Sequence, residues 1–567
     1  MKKITLTLIF LAGCLAYNAS AQTPLRYKNE VFTKLVEAKG IPYATNLNWL
    51  YMTTFATDAT DPAKAPIMFG VELPFLIAKV KTGKTSEIPM KYRYPRGVGS
   101  GDSTYLKVTT LTMDAYMPDE TGGPKRPVII YLHTGNFLPP GAYNGSPCGD
   151  KSDSIVRDLC RGFARRGFVA IAIDYRLGWN PVATTLDGRR GTLLNAVYRS
   201  MHDVKEAVRV VKSMANTYNL DSSNIALVGE GTGSYIAQAY NSCDKYPEFM
   251  DLPKFKGYID TANFGWIDGS RGKFNLYGYL GKRAQGTKIK AVGTLGGALA
   301  DTTWLEAGDA PVISMQCVRD PFAPFGYGLV VVPSSLQTVV DVDGANNAIA
   351  RAQRLGNNAL FAAIPSKDPY TIKARSLYNR TVDYIPLATD KITIRNGEGM
   401  YPFLLPVAAK EYDNQASPYQ WWDPNSKEAL AQPLGAPAGF TAHKNSLTSN
   451  TDMSKAKSKL YQDTIHGYMT PRIALAMGLI SASDLAVKSA KVTGVSIYPN
   501  PAANSVTISY KEMINSVSIT DISGKVVFQS LVNNSNYTIS SLNLKQGLYI
   551  MSVATDQGIA VEKLIIK

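Results

Sequence analysis

Residues 229–233 of this chain read Gly229-Glu230-Gly231-Thr232-Gly233, directly after the apolar run Ile225–Val228. Glycines two positions either side of a central residue permit a tight strand-to-helix turn, and a serine at its centre presents a hydroxyl to an ester and to a general base. The central position here is Gly231, which has no side chain, so an acyl-enzyme cannot form at this position. Two hydroxyls follow. Thr232 is expected to point its side chain away from the direction a nucleophile faces. Ser234, one helical turn along, is expected to bond backbone between helix and sheet. A general base would be a histidine, and the chain has four, His133, His202, His443 and His466. His133 closes an apolar run and His202 lies in a helical pattern. His466, in Asp463-Thr464-Ile465-His466-Gly467-Tyr468, is expected on a late helix in a solvated or capping role.

Other groupings point to less chemistry. No Cys-x-x-Cys or His/Cys cluster has zinc spacing. Asp341-x-Asp343-Gly344 begins like a calcium loop but lacks the later acidic ligands, so a turn is expected, and neither metal nor cofactor is. Trp421-Trp422, with Tyr419 and Tyr401, could stack on a sugar or complete a core; completion of the core is the expected role.

The elements that must position these residues follow from patterning. Val128–Leu132, Val169–Ile173 and Ile225–Val228 are continuous apolar runs of the kind that central, two-sided strands require. Asn195 to Tyr218 has apolar residues at helical spacing, including Val204, Ala207, Val208 and Val211, and lies between the last two runs. Leu106 to Tyr116 reads as an alternating strand pair. Strand–helix–strand repetition with buried strands implies a parallel or mostly parallel α/β sheet.

Several of these segments resemble carboxylesterase-like α/β-hydrolases of the BD-FAE type. Leu111-Thr112-Met113-Asp114-Ala115-Tyr116-Met117-Pro118 looks like their opening strand. Lys125-Arg126-Pro127 leads into a strand ending His133-Thr134-Gly135-Asn136-Phe137, where the family has His-Gly-Gly-x-Phe. Asp174-Tyr175-Arg176-Leu177-Gly178, Tyr198-Arg199 with Asp203, and the glycine-framed turn complete the match over residues 106–239, with weaker likeness to about residue 363. The resemblance implies a doubly wound α/β-hydrolase-like sheet, an oxyanion hole at Gly135 and Thr232, and Gly231 in the nucleophile's place. It puts strand seven at Pro311–Met315 and the triad acid at Asp320, which before Pro321 is equally a turn residue. It puts a helix at Gly344–Gly356 and strand eight at Ala359–Ala363. The loop after that, Ile364 to Tyr370, would carry the catalytic histidine and has none, leaving His466 as a displaced candidate. Residues 367–480 have no counterpart and are expected to cap the cleft. The implied function is a hydrolase-like module without catalysis that binds a ligand or serves surface assembly. The alternative is an active carboxylesterase on polysaccharide or small-molecule esters with an unconventional nucleophile.

The two ends concern export. Lys2-Lys3, the apolar run Ile4–Leu15 and Ala19-Ser20-Ala21 have the layout of a signal peptide (1–21) cleaved before Gln22. Leu11-Ala12-Gly13-Cys14 leaves a lipoprotein reading open. From Val495, short alternating strands carry Tyr498-Pro499-Asn500-Pro501, an Asp521-x-Ser523-Gly524-Lys525 turn, Gly547-Leu548-Tyr549 and a Lys-ending last strand. This order resembles the type A C-terminal sorting domain of type IX secretion cargo, implying a small all-β sandwich over 495–567 and delivery through the periplasm to the outer-membrane surface or medium by the type IX machinery. Residues 481–494 would be the linker, and 22–480 the hydrolase-like domain.

With 45% apolar and 19% charged residues, the 567-residue chain can bury several domains of ~100–200 residues each. Its net charge of +15 is scattered, with only short clusters at Lys79–Lys84 and Lys91–Arg96, so no nucleic-acid partner is expected. A surface polysaccharide, a small molecule and self-association remain open partners, and no stretch is long enough to span a membrane of ~20 helical residues. In an oxidising envelope Cys148 and Cys160 are expected to pair, restricting the unfolded chain by about 3 kcal/mol. Cys243 and Cys317 are expected to be buried thiols.

Overall fold

The computed structural model describes residues 25–49, 67–93, 106–138, 145–276, 285–332, 337–365, 368–384, 391–405, 415–433, 436–485, 494–521, 526–540, 542–555 and 558–567. The signal segment 1–21 with Cys14 lies outside them. The described residues form two compact units, 26–485 and 494–567.

The larger unit is built on one eight-stranded sheet. Its strands are β1 (Leu35–Trp49), β2 (Leu106–Pro118), β3 (Arg126–Leu132), β4 (Val169–Ile173), β5 (Leu220–Glu230), β6 (Ala291–Leu295), β7 (Val312–Cys317) and β8 (Met400–Phe403). They lie in the order β1-β2-β4-β3-β5-β6-β7-β8, with β2 antiparallel to both its neighbours and the rest parallel. Every residue of β3, β4, β6 and β7 is buried, because helices cover both faces and leave no polar side to alternate with. These helices are α1 (Ser154–Arg165), α2 (Leu186–Ser213), α3 (Thr232–Ser242), α4 (Ala345–Arg354) and α5 (Lys455–Ala476). Helix α2 starts earlier than the apolar spacing suggested, where the Thr185 hydroxyl caps Gly188 N.

Three expectations are corrected. Leu106–Pro118 is a single strand whose partner is Leu35–Trp49, a strand the sequence pattern did not reveal. Ala359–Ala363 is not strand eight: Ala359–Ala362 is one helical turn. The Asn358 amide before it bonds both Val312 N and Val312 O, at 2.9 Å each, and so occupies the end of β7. The true eighth strand, Met400–Phe403, contains Pro402, which an edge strand tolerates and which hid it from pattern reading. The first histidine after it is His443, on the helical turn Ala442–Ser446. Finally, residues 367–480 are not simply a cap. They supply β8 and α5, whose Ile465, Tyr468, Met469 and Ile473 are fully buried; the Tyr468 hydroxyl donates to Met400 O at 2.9 Å. Residues 482–485 still belong to this unit, since Leu485 is buried and Lys28 Nζ donates to Asp484 O at 2.7 Å.

A buried ion pair ties the segment after β4 to α2. The Arg176 guanidinium meets Asp203 at 2.9 Å, both side chains wholly buried, and Asp203 also accepts from Arg176 N at 2.8 Å. Arg176 further donates to Leu47 O and to Asn275 Oδ1. One cation therefore ties its own segment, β1 and the Asn275 segment to α2.

The smaller unit is all-β. Strands β9 (Ser496–Tyr498), β10 (Val506–Asp521), β11 (Val526–Ile539), β12 (Gly547–Thr555) and β13 (Gly558–Ile566) pair antiparallel, with β10 bonded to β9, β11 and β12, and β12 to β13. Alternating Val506, Ile508 and Tyr510 join Val517, Ile519, Met551, Val553 and Leu564 in its core. Residues 522–525 of the Asp521–Lys525 turn lie outside the described residues. Among the described residues no helix is long and apolar enough to cross a membrane.

Candidate functional site

Strand β5 ends in Gly229-Glu230, α3 begins at Thr232, and Gly231 between them has φ 52° and ψ −115°. This is a left-handed conformation that side chains resist, as a strained elbow requires. Its N–H donates to Leu295 O at 2.9 Å and its carbonyl accepts from Ser234 N at 2.9 Å. The flanking glycines serve close approach: a Cβ on Gly233 would run into Leu132 O, and one on Gly229 into the Gly233 carbonyl. The turn is thus built as a nucleophile would need it.

What fills the nucleophile's place is a neighbour. A Cβ on Gly231 would overlap the Thr134 hydroxyl, well under the 3.0 Å that real Cβ atoms keep, and would lie 3.0 Å from Thr134 Cβ. Thr134 stands in His133-Thr134-Gly135-Asn136-Phe137 where the resemblance calls for glycine. The two departures from the motif therefore meet in space. Sequence reading noted both segments without connecting them; the threonine in the first glycine position was the available signal.

The other candidates are distributed as follows. Thr134, Asn136, Gly231, Thr232 and Asp320 line one cavity of about 170 Å³, many times the ~10–15 Å³ a single water needs. Gly135 lies between two lining residues but itself backs onto Gly149, and its φ of 133° suits glycine. The Thr232 hydroxyl is 3.5 Å from that of Tyr175, which donates to His133 O at 2.6 Å. Ser234 is buried, donating to Gly229 O at 2.7 Å and accepting from Leu295 N at 3.2 Å, a helix hydroxyl spent on backbone. Asp320 follows β7 and lines the cavity, while its Oδ1 accepts from Phe322 N (2.8 Å) and Ala323 N (3.0 Å) as a turn residue does. Burial pushes its carboxyl up to about 7.

None of the four histidines lines the cavity. His466, the displaced base candidate, sits on the buried side of α5 against α1. Its ring meets Phe163 edge-on at 4.7 Å, its Nδ1 is 3.1 Å from Thr470 Oγ1, and burial, with Arg166 nearby, keeps it neutral. The expected solvated role is corrected as well. His133 stacks on Tyr175 at 4.5 Å, His202 lies beside Tyr198, and His443 accepts from Trp422 Nε1 at 3.0 Å.

Glu230 was missed by sequence reading. It is fully buried beside the elbow, accepts from the Tyr131 hydroxyl at 3.0 Å and from Gln420, and burial pushes it up to about 7. The expected Cys148–Cys160 disulfide does not form. Cys160 points into the core from α1, whereas Cys148 packs with Trp422 and Ala429, and all four described cysteines are buried free thiols. Trp422, Tyr419 and Tyr401 complete the core, and Trp421 donates to Asp158 at 2.8 Å. Asp341 pairs with Lys254 at 3.0 Å and Asp343 accepts from Asn347; no group of acidic, His and Cys side chains fit for a metal occurs among the described residues.

The BD-FAE family model matches residues 113–251, which contain the elbow, Thr134 and the Arg176–Asp203 pair. The model of the secretion system C-terminal sorting domain matches residues 496–567. No curated protein is significantly similar to the chain. Among solved structures, the apo form of Thermogutta terrifontis esterase 2 is 18% identical, with 38% of this chain and 70% of that one covered and a TM-score of 0.26. Its propionate-bound form is 18% identical over 42% of this chain and 76% of that one, at a TM-score of 0.25. MGS-M1, an alpha/beta hydrolase enzyme from a Medee basin deep-sea metagenome library, is 13% identical over 38% and 66%, at 0.23. The chain joins an esterase-like α/β-hydrolase core to a type IX secretion sorting domain, which directs it to the outer-membrane surface or beyond.

Proposed function

We propose that this chain is a secreted or cell-surface hydrolase-like protein that forms no acyl-enzyme and instead holds a ligand in the cavity beside the elbow. The observation that carries this reading is the Gly231–Thr134 arrangement: the strained turn is retained, its central residue offers no nucleophile, and a threonine from β3's end stands where the side chain would be. The absence of any histidine from the described cavity wall supports it further, because a serine-type triad needs a base within hydrogen-bond reach of its nucleophile. The amino-terminal segment would pass the chain across the inner membrane as a cleaved signal, and the sorting domain across the outer one.

The test is hydrolysis of p-nitrophenyl acetate and butyrate by the purified mature chain, with a fluorophosphonate probe alongside. No labelling, and no turnover above that of Thr134→Ala, Thr232→Ala and Ser234→Ala, is the expected result. A second reading, an active esterase with a threonine nucleophile, draws on the Thr134 and Thr232 hydroxyls lining the same cavity as Asp320. It requires covalent labelling that one of those substitutions abolishes.

A further inference from the structure

Few polar side chains line the cavity. Thr134, Asn136, Thr232, Asp320 and Ser417 do so, with Thr134 against Gly231, while Leu193, Leu194, Val197 and Met201 form an apolar stripe along α2. Val340 and Val342 line it as well. Three of its polar-tipped aromatics offer only their rings, since Trp179 Nε1 donates to Asn136 O (2.7 Å), the Tyr198 hydroxyl to Gly265 O (2.9 Å) and Trp304 Nε1 to Glu248 O (3.0 Å); Tyr235 lines it as well. No Lys, Arg or His occurs among the described lining residues, and Asp320 is the sole acid. An anionic head group would lose its hydration there with no cation to replace it. A cationic head would meet a carboxyl whose Oδ1 is already engaged by two backbone N–H groups and which burial biases toward its neutral form.

We infer that this cavity is a binding site for an uncharged single-chain acyl or alkyl molecule, held whole with its polar end at Thr134, Thr232 and Asp320 and its chain along α2. The inference rests on the non-catalytic reading of the elbow, since an ester bound this way persists only where no acyl-enzyme forms.

The test is displacement of the uncharged fluorophore N-phenyl-1-naphthylamine from the full mature chain by dodecanol, ethyl decanoate, decanoate and dodecylammonium, each below its micelle concentration. Dodecanol and ethyl decanoate are expected to compete, with both ions weaker by at least about tenfold. Leu194→Trp and, as a milder change, Val340→Phe are expected to weaken dodecanol by a similar factor while thermal melting confirms that each variant is folded. Equal or tighter binding of either ion, or binding indifferent to both cavity variants, overturns the assignment. Product analysis separates the two claims. Release of ethanol and decanoate from the ester sinks the non-catalytic reading while leaving the site, whereas an intact ester with no dodecanol binding sinks the ligand class alone.

Discussion

Gly231→Ser is the most informative single perturbation of this protein. The new Cβ would overlap the Thr134 hydroxyl and lie 3.0 Å from its Cβ, so a short branched side chain anchored on β3's end must move. Overpacking of this kind costs about 1–3 kcal/mol. A side chain at φ 52° and ψ −115° adds strain of about 1–3 kcal/mol. The variant should therefore lose roughly 2–6 kcal/mol, a large part of the ~5–15 kcal/mol typical of a folded domain. Thr134→Gly alone should be far milder. The double variant should recover the overpacking share, giving a favourable coupling of about 1–3 kcal/mol in a double-mutant cycle. Denaturant titration of the four proteins, followed by tryptophan fluorescence, measures this directly. Neither serine variant should reach esterase turnover on p-nitrophenyl butyrate, because no histidine stands at the cavity to take the proton. Strictly additive stabilities would refute the claim that Thr134 fills the nucleophile's space. Turnover gained by Gly231→Ser alone would refute the claim that no base is assembled there.

The remaining predictions concern groups that hold the site in place. Asp203→Ala strands the fully buried Arg176 charge and should cost about 3–5 kcal/mol; a loss below about 1 kcal/mol by denaturant titration would show the pair to be dispensable. Glu230 titrates near 7 folded against ~4.3 unfolded, so the folded state binds the extra proton and its stability falls as pH rises from about 4.5 through 7. Glu230→Gln removes that dependence, and its melting temperature should gain on the wild type between pH 5 and pH 8; an unchanged difference contradicts the assignment. Because Cys148, Cys160, Cys243 and Cys317 are buried thiols that burial holds protonated, the native protein should resist iodoacetamide and melt identically with or without dithiothreitol. A melting temperature lowered by reductant would restore the disulfide.

Local chemistry carried much of the fold into view. Ile225–Val228, Val128–Leu132 and Val169–Ile173 announce central strands because a sheet covered on both faces needs uninterrupted apolar runs. Gly231 announces a missing nucleophile because only atoms present in a residue can react, and the alternating strands of 495–567 carry the sorting-domain motifs in plain order. Elements governed by remote partners were not legible. The edge strand Met400–Phe403 hides behind Pro402 and pairs with β7 some eighty residues earlier; Leu35–Trp49 is a strand only because β2 lies beside it. His466 could not be placed until α5 was seen to turn it toward α1, away from the cavity, and the expected bridge between Cys148 and Cys160 dissolved once each thiol had its own apolar neighbours. Above all, that Thr134 and Gly231 exclude one another's side chains is a fact about two adjacent parallel strand ends. Excluded volume acts between atoms close in space, and a chain of letters does not say which those are.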